Sequence, residues 1–156
     1  MLVREAAKTT WVLTLALFCL SALGFAGSPS GTSAGKKLSP DGISQQIAVL
    51  KSGKPQQRAA AAYLLGQQHA AAASAVDGLV ELLGDLSEVD PAKYRATKVF
   101  QKITLGEEVA SALVNIGLPS IDPLIRVLKT SPDAEARKNA AWALGALHDS
   151  GGTTQI

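Results

Sequence analysis

The chain has 156 residues, of which 47% are hydrophobic but only 4% aromatic, and a formal net charge of +2. That length suits one domain with some residues left for targeting. Ala and Leu dominate the apolar content and β-branched residues are sparse, which favours closely packed helices and argues against a sheet protein.

The first 26 residues form a separate object. Arg4 and Lys8 precede "WVLTLALFCLSALGFA" (Trp11 to Ala26), an uncharged and mostly apolar run that closes on Gly24 and Ala26. This is the layout of a secretory signal peptide cleaved after Ala26. The expected location is therefore the periplasm or the outside of the cell. The run of 16 residues is shorter than the roughly 20 that span a bilayer. An uncleaved N-terminal helix acting as an anchor is the alternative. Phe18 before Cys19 does not suit a lipoprotein site, and Cys19 leaves with the signal. Cleavage takes Arg4, Lys8 and Glu5 from 15 basic and 13 acidic residues, leaving 13 and 12. Such a balance lacks the basic excess of a nucleic-acid binder.

Residues 27–38 read as a flexible linker rich in Gly, Ser and Pro. "GTSAGKK" (Gly31 to Lys37) lies in it and lacks the spacing and the Ser or Thr of a phosphate-binding loop. A helix is expected after Ser39, with Pro40 in its first turn, a stripe of Ile43, Ile47 and Leu50, and a stop at Gly53. The next helix spans about Pro55 to Gln68. A loop, "HAAAAS", leads to a second helix, "AVDGLVELLGD".

"RAAAAYLLG" (Arg58 to Gly66) returns as "VASALVNIG" (Val109 to Gly117) and "RKNAAWALG" (Arg137 to Gly145). Stacking the three aligns Ala61, Ala112 and Ala140, then Ala62, Leu113 and Ala141, then Leu65, Ile116 and Leu144. These always-apolar positions predict one buried helical face. Ala60, Ser111 and Asn139 fall off that face, as do Leu64, Asn115 and Ala143. Gly66, Gly117 and Gly145 stand where left-handed C-caps are expected. The second helices match as well, "AVDGLVELL" (Ala75 to Leu83) against "SIDPLIRVL" (Ser120 to Leu128). A helix pair that cannot bury both sides must stack on a neighbour like itself.

The register is uneven. Gly117 to Gly145 is 28 residues and Gly66 to Gly117 is 51. Most of the excess is an insertion, 85–106, with weak helix signals and an "ATKVFQKIT" that suits extended chain. Thr104 and Glu107 have the spacing of a capping box that restarts the helix. A last helix is expected from about Pro132 to Leu147, with residues 150–156 as a disordered tail.

"PDAEARKNAAWALGAL", "SIDPLIRVLK" and "QQRAAAAYLLG" resemble the HEAT-repeat α-solenoids, of the short bacterial type named from phycobilisome lyases. The resemblance implies an all-α fold: a short right-handed α-solenoid of stacked antiparallel helix pairs over 39–149. Where the family supplies another second helix the chain reads "HDSGGTTQI", so the last repeat is expected to be incomplete. Trp142, Leu144 and Leu147 are then half covered, and either self-association through the C-terminal helix or a partner bound at that end is expected.

Catalytic chemistry finds little support. His69 and His148 are far apart in sequence and share no ligand spacing. Asp85, Glu88 and Asp90 lack the alternation of a calcium loop and read as a solvated acidic turn. Tyr63, Val114 and Trp142 share one repeat position, which reads as core. No cofactor or metal is expected. What remains is surface. In solenoids of this kind the second helices line the concave, binding side. There Asp77, Glu81, Asp122, Arg126 and Lys129 point away from the apolar stripe and are the candidate contacts for a protein partner. The expected function is a non-enzymatic interaction module. Two alternatives stand beside it: handling of a bilin chromophore, which export opposes, and a truncated product without independent function.

Overall fold

The computed structural model describes residues 37–95 and 101–151. The signal peptide, nearly all of the linker, and 152–156 of the tail lie outside the described residues, as does 96–100 of the insertion. Six α-helices and one two-stranded ribbon are formed among those described.

Local signals place the first two helices. In α1 (Pro40–Ser52) the Ser39 hydroxyl accepts the Gly42 N–H, and Ile43 and Leu50 are buried. The helix stops at Gly53, in an extended conformation. In α2 (Pro55–Gly66) the Gln57 side chain caps the Lys54 N–H at 2.9 Å. It ends two residues earlier than its expected limit. The "HAAAAS" stretch is not a plain loop but a 3-10 helix, His69–Ala75.

The two second helices differ. The "AVDGLVELLGD" segment forms only α3 (Val76–Val80) and then tightens into turns, with Leu82 and Leu83 bonding three residues back. Gly84 then passes so close to Asp133 that a Cβ there would lie 1.7 Å from its carboxylate. Its counterpart α5 (Ile121–Thr130) is a full helix.

The insertion opens with β1 (Glu88–Val89), continues through a 3-10 turn at Pro91–Lys93, and returns as β2 (Ile103–Thr104), antiparallel to β1. The extended expectation for "ATKVFQKIT" is met at Ile103 and Thr104. The capping box is present: Thr104 and Glu107 cap each other's N–H at 3.2 and 2.8 Å and start α4 (Leu105–Ile116). The last helix, α6, runs from Ala134 to Gly151, beyond its expected end.

The helices stand in two layers. α2 packs on α4 and α4 on α6, while α3 touches α1 and α5. Pairs α1 with α2 and α5 with α6 join the layers. The fold is thus an all-α solenoid of stacked helix pairs, with α1 in the layer of second helices. Ala61, Ala112 and Ala140 are all buried, as the stacking of the three copies requires.

Two expectations about those copies are corrected. In α6 the buried face is Ala136, Asn139, Ala140 and Ala143, while Ala141 is exposed and Leu144 half-buried. Asn139 is buried because its amide donates to the Leu83 carbonyl at 2.8 Å. The face has rotated because no further helix of this layer packs beyond α6 among the described residues. The glycines also differ from one another. Only Gly117 has a positive φ, +87°. Gly66 ends α2 against α4, where a Cβ would meet the Ala112 Cα at 3.0 Å. Gly145 lies inside α6 with nothing nearby.

Candidate interaction surfaces

All five residues singled out from the sequence are exposed. Asp77 lies in α3 and Glu81 in the turn just beyond it. Asp122, Arg126 and Lys129 lie on α5. The contact of α3 with α5 places them in one layer. None of the five has a side-chain hydrogen bond or ion pair among the described residues.

A second region was not anticipated. The part of the insertion at 89–95 lies across α2 and α4 and is clasped there. The Gln56 amide donates to the Asp90 carbonyl at 2.9 Å and accepts the Asp90 N–H at 3.0 Å, so it grips backbone rather than side chain. Tyr94 packs on Tyr63, with ring centroids 5.8 Å apart. Arg95 stacks its guanidinium over Tyr63 at 5.4 Å and bonds the Glu108 carboxylate at 2.5 Å. The Tyr94 hydroxyl donates to the same carboxylate at 2.8 Å. Glu108 is 1% exposed. Burial pushes its carboxyl above the ordinary value, and Arg95 opposes that rise. The Tyr94 hydroxyl is raised mainly by burial and next by the Glu108 charge.

A sequence signal for this clasp existed. Glu108 precedes the buried Ala112 by four residues and so falls on the apolar stripe of α4, where a carboxylate needs partners.

A cleft of about 400 Å³ opens between α4 and α6, in the layer that does not carry the five predicted residues. Its walls are Glu107 and Ser111 on α4 and Lys138, Asn139 and Trp142 on α6. Trp142 is 55% exposed, which corrects the core reading of that position. Its counterpart Tyr63 is half-buried under the insertion, and Val114 is half-buried too. Lys138 pairs with Glu135 one turn back. Its ammonium is held above the ordinary lysine value by the hydrogen bond to Glu135, with the Glu107 charge adding to it.

The histidines do not meet. His69 has a positive φ of 51° and contacts the Asn115 carbonyl through Nδ1 at 3.0 Å. His148 is exposed on α6 beside Asp149. The acidic residues of the insertion are used locally. Asp85 faces Arg58 and caps Ser87, Glu88 pairs with Lys102, and Asp90 caps Ala92. No group of three or more His, Cys, Asp or Glu is placed to hold a metal among the described residues. No described helix is long and apolar enough to cross a membrane.

Residues 116–147, essentially α5 and α6, match the Armadillo/beta-catenin-like repeat family. No curated protein and no solved structure matches the chain. The match over one helix pair, together with the stacked pairs before it, makes this chain a helical-repeat protein.

Proposed function

We propose that the chain is an exported, non-enzymatic module that binds another protein, with repeats of the HEAT type. The observation that carries this reading is the two-layer stack, which leaves charged helix faces uncovered. On α5, Asp122, Arg126 and Lys129 face solvent with no partner inside the described chain. Repeats of the Armadillo kind serve as protein-interaction surfaces, which supports the same class. Export rests on the N-terminal sequence alone.

The test joins location to surface. Mature protein isolated from the cell envelope is expected to begin at Gly27. A photo-crosslinking residue at position 126 is expected to capture one recurrent protein, and the same residue at position 41 on α1 is not. Reversing charge with Arg126→Glu should abolish the crosslink at a neighbouring position 122 while the helical circular dichroism persists. Equal capture from positions 126 and 41 would refute a binding face on α5. An intact Met1 in cytoplasmic protein would refute export.

A further inference from the structure

The aligned glycines relate the α2–α4 groove, filled by residues 89–95, to the α4–α6 groove, which is the open cleft. Tyr63 and Trp142 share one position of the repeat and fare differently in the two. The Tyr63 ring is covered by the Tyr94 ring, with centroids 5.8 Å apart, and by the Arg95 guanidinium at 5.4 Å. Trp142 has no such cover among the described residues and stands 55% exposed on the wall of the cleft. At about 400 Å³ the cleft has the size of a small-molecule site, for which about 300–1,000 Å³ is usual.

The groups around the indole are polar and balanced in charge. Lys138 bonds Glu135 and also feels the Glu107 charge. An anion therefore meets Glu107 and a cation meets Lys138, while an uncharged ligand finds both an acceptor and a donor. One oxygen of Glu107 caps the Thr104 N–H, which leaves further acceptor sites on the carboxylate. The Ser111 hydroxyl donates to the Glu107 carbonyl and keeps its lone pairs. Lys138 keeps ammonium protons beyond the one that Glu135 takes. A ligand that uses this wall presents a flat C–H face to the indole and a rim of hydroxyls to Glu107, Ser111 and Lys138. We propose that the α4–α6 cleft binds a pyranose ring of a glycan, stacked on Trp142, with a ring hydroxyl donating to the Glu107 carboxylate. Hydrogen bonds to a carboxylate are of the stronger, charge-assisted kind. The site lies in the layer opposite Asp122, Arg126 and Lys129, so the inference goes beyond the protein-binding reading: the module holds a protein on one layer and a sugar on the other.

The probe is cellobiose. Its ring hydroxyls are all equatorial, which leaves C–H groups on both faces of each ring. Sorbitol is the control, since it carries hydroxyls on an open chain without a ring face. The full chain carrying Trp11→Phe keeps Trp142 as its single tryptophan. Its fluorescence should shift and saturate with millimolar cellobiose, and sorbitol should bind at least about tenfold more weakly. By calorimetry, Trp142→Ala should weaken cellobiose binding about tenfold, and Trp142→Phe, which keeps a ring face, by about threefold at most. Glu107→Gln preserves the capping box and should weaken it about threefold to tenfold.

Absence of saturation by cellobiose would overturn the proposal, as would equal binding of sorbitol or a Trp142→Ala variant that binds as wild type does. So would a Trp142 signal that changes with protein concentration alone, because a second copy would then be the occupant. These outcomes leave crosslinking from position 126 untouched, so the cleft and the module can fail separately.

Discussion

The α2–α4 and α4–α6 grooves are made from equivalent helix faces, yet one is sealed and the other open. The difference lies in the insertion. Residues 89–95 bury Pro91, pack Tyr94 on Tyr63 of α2 and lay Arg95 on a buried carboxylate of α4. Among the described residues the α4–α6 groove has no such segment, and its aromatic residue stands 55% exposed. A repeat protein therefore changes what its surface offers by covering one groove, without altering the stack beneath.

The sharpest way to break this comparison is to remove the carboxylate of the sealed groove. Glu108→Ala leaves the Tyr94 hydroxyl and the Arg95 guanidinium without their shared acceptor. The expected loss is about 2–3 kcal/mol in urea unfolding, below the full cost of a broken buried pair because Arg95 is 26% exposed. Trp142→Ala in the open groove should cost under about 0.5 kcal/mol, as an exposed side chain does. Equal losses at the two sites would mean that the insertion contributes no packing of its own.

Beneath the grooves, the helix–helix contact itself can be overfilled. Gly66→Leu should destabilise by about 1–3 kcal/mol, because α2 and α4 already meet at backbone distance. An unchanged midpoint would mean that the two helices stand further apart than this.

What the sequence shows of this fold is what periodicity and caps encode. Ser39, the Thr104–Glu107 box and the three buried alanines mark helices whose local signals agree with their packing. The shortened α3 was hidden because its repeat partner α5 is regular. Past Val80 its bonds shorten to three residues, and Gly84 then passes close to Asp133, 49 positions away in the chain. The rotated face of α6 was hidden for a related reason. Asn139 looks like surface until its amide reaches the Leu83 carbonyl. The candidate faces on α3 and α5 were legible, since exposed charge on an amphipathic helix has a period. The cleft and the clasp were not, because they join residues from separate repeats and an aperiodic insertion.

Titration probes the sealed groove more gently. Burial raises the Glu108 carboxyl above the ordinary value of 4.5. The folded protein therefore takes up that proton at a higher pH than the unfolded chain. The part of the Glu108 contribution that is linked to this proton is then fully present below 4.5 and is lost as pH rises through the folded value. The stability of wild type minus that of Glu108→Gln should accordingly increase as pH falls from neutral to 4.5. Thermal midpoints of the two proteins across that window measure it. A constant difference would mean that the Arg95 charge cancels the cost of burial.

A further effect has the opposite sign and tests the open end of the layer. Gly66 and Gly145 are the same position of the repeat, one pressed against a neighbour and one facing empty space. Gly145 lies inside α6, where glycine gives up more backbone freedom on folding than alanine does. A methyl group there would meet nothing within 4 Å. Gly145→Ala should therefore stabilise the chain by about 0.5–1 kcal/mol. Gly66→Ala meets the Ala112 Cα at 3.0 Å and should not gain as much, because the contact takes back what the helix gains. Melting curves of the two variants at several protein concentrations make the comparison complete. A destabilising Gly145→Ala, growing worse at high concentration, would show that this face is covered in solution by another helix. The α4–α6 layer would then be closed by association rather than left open.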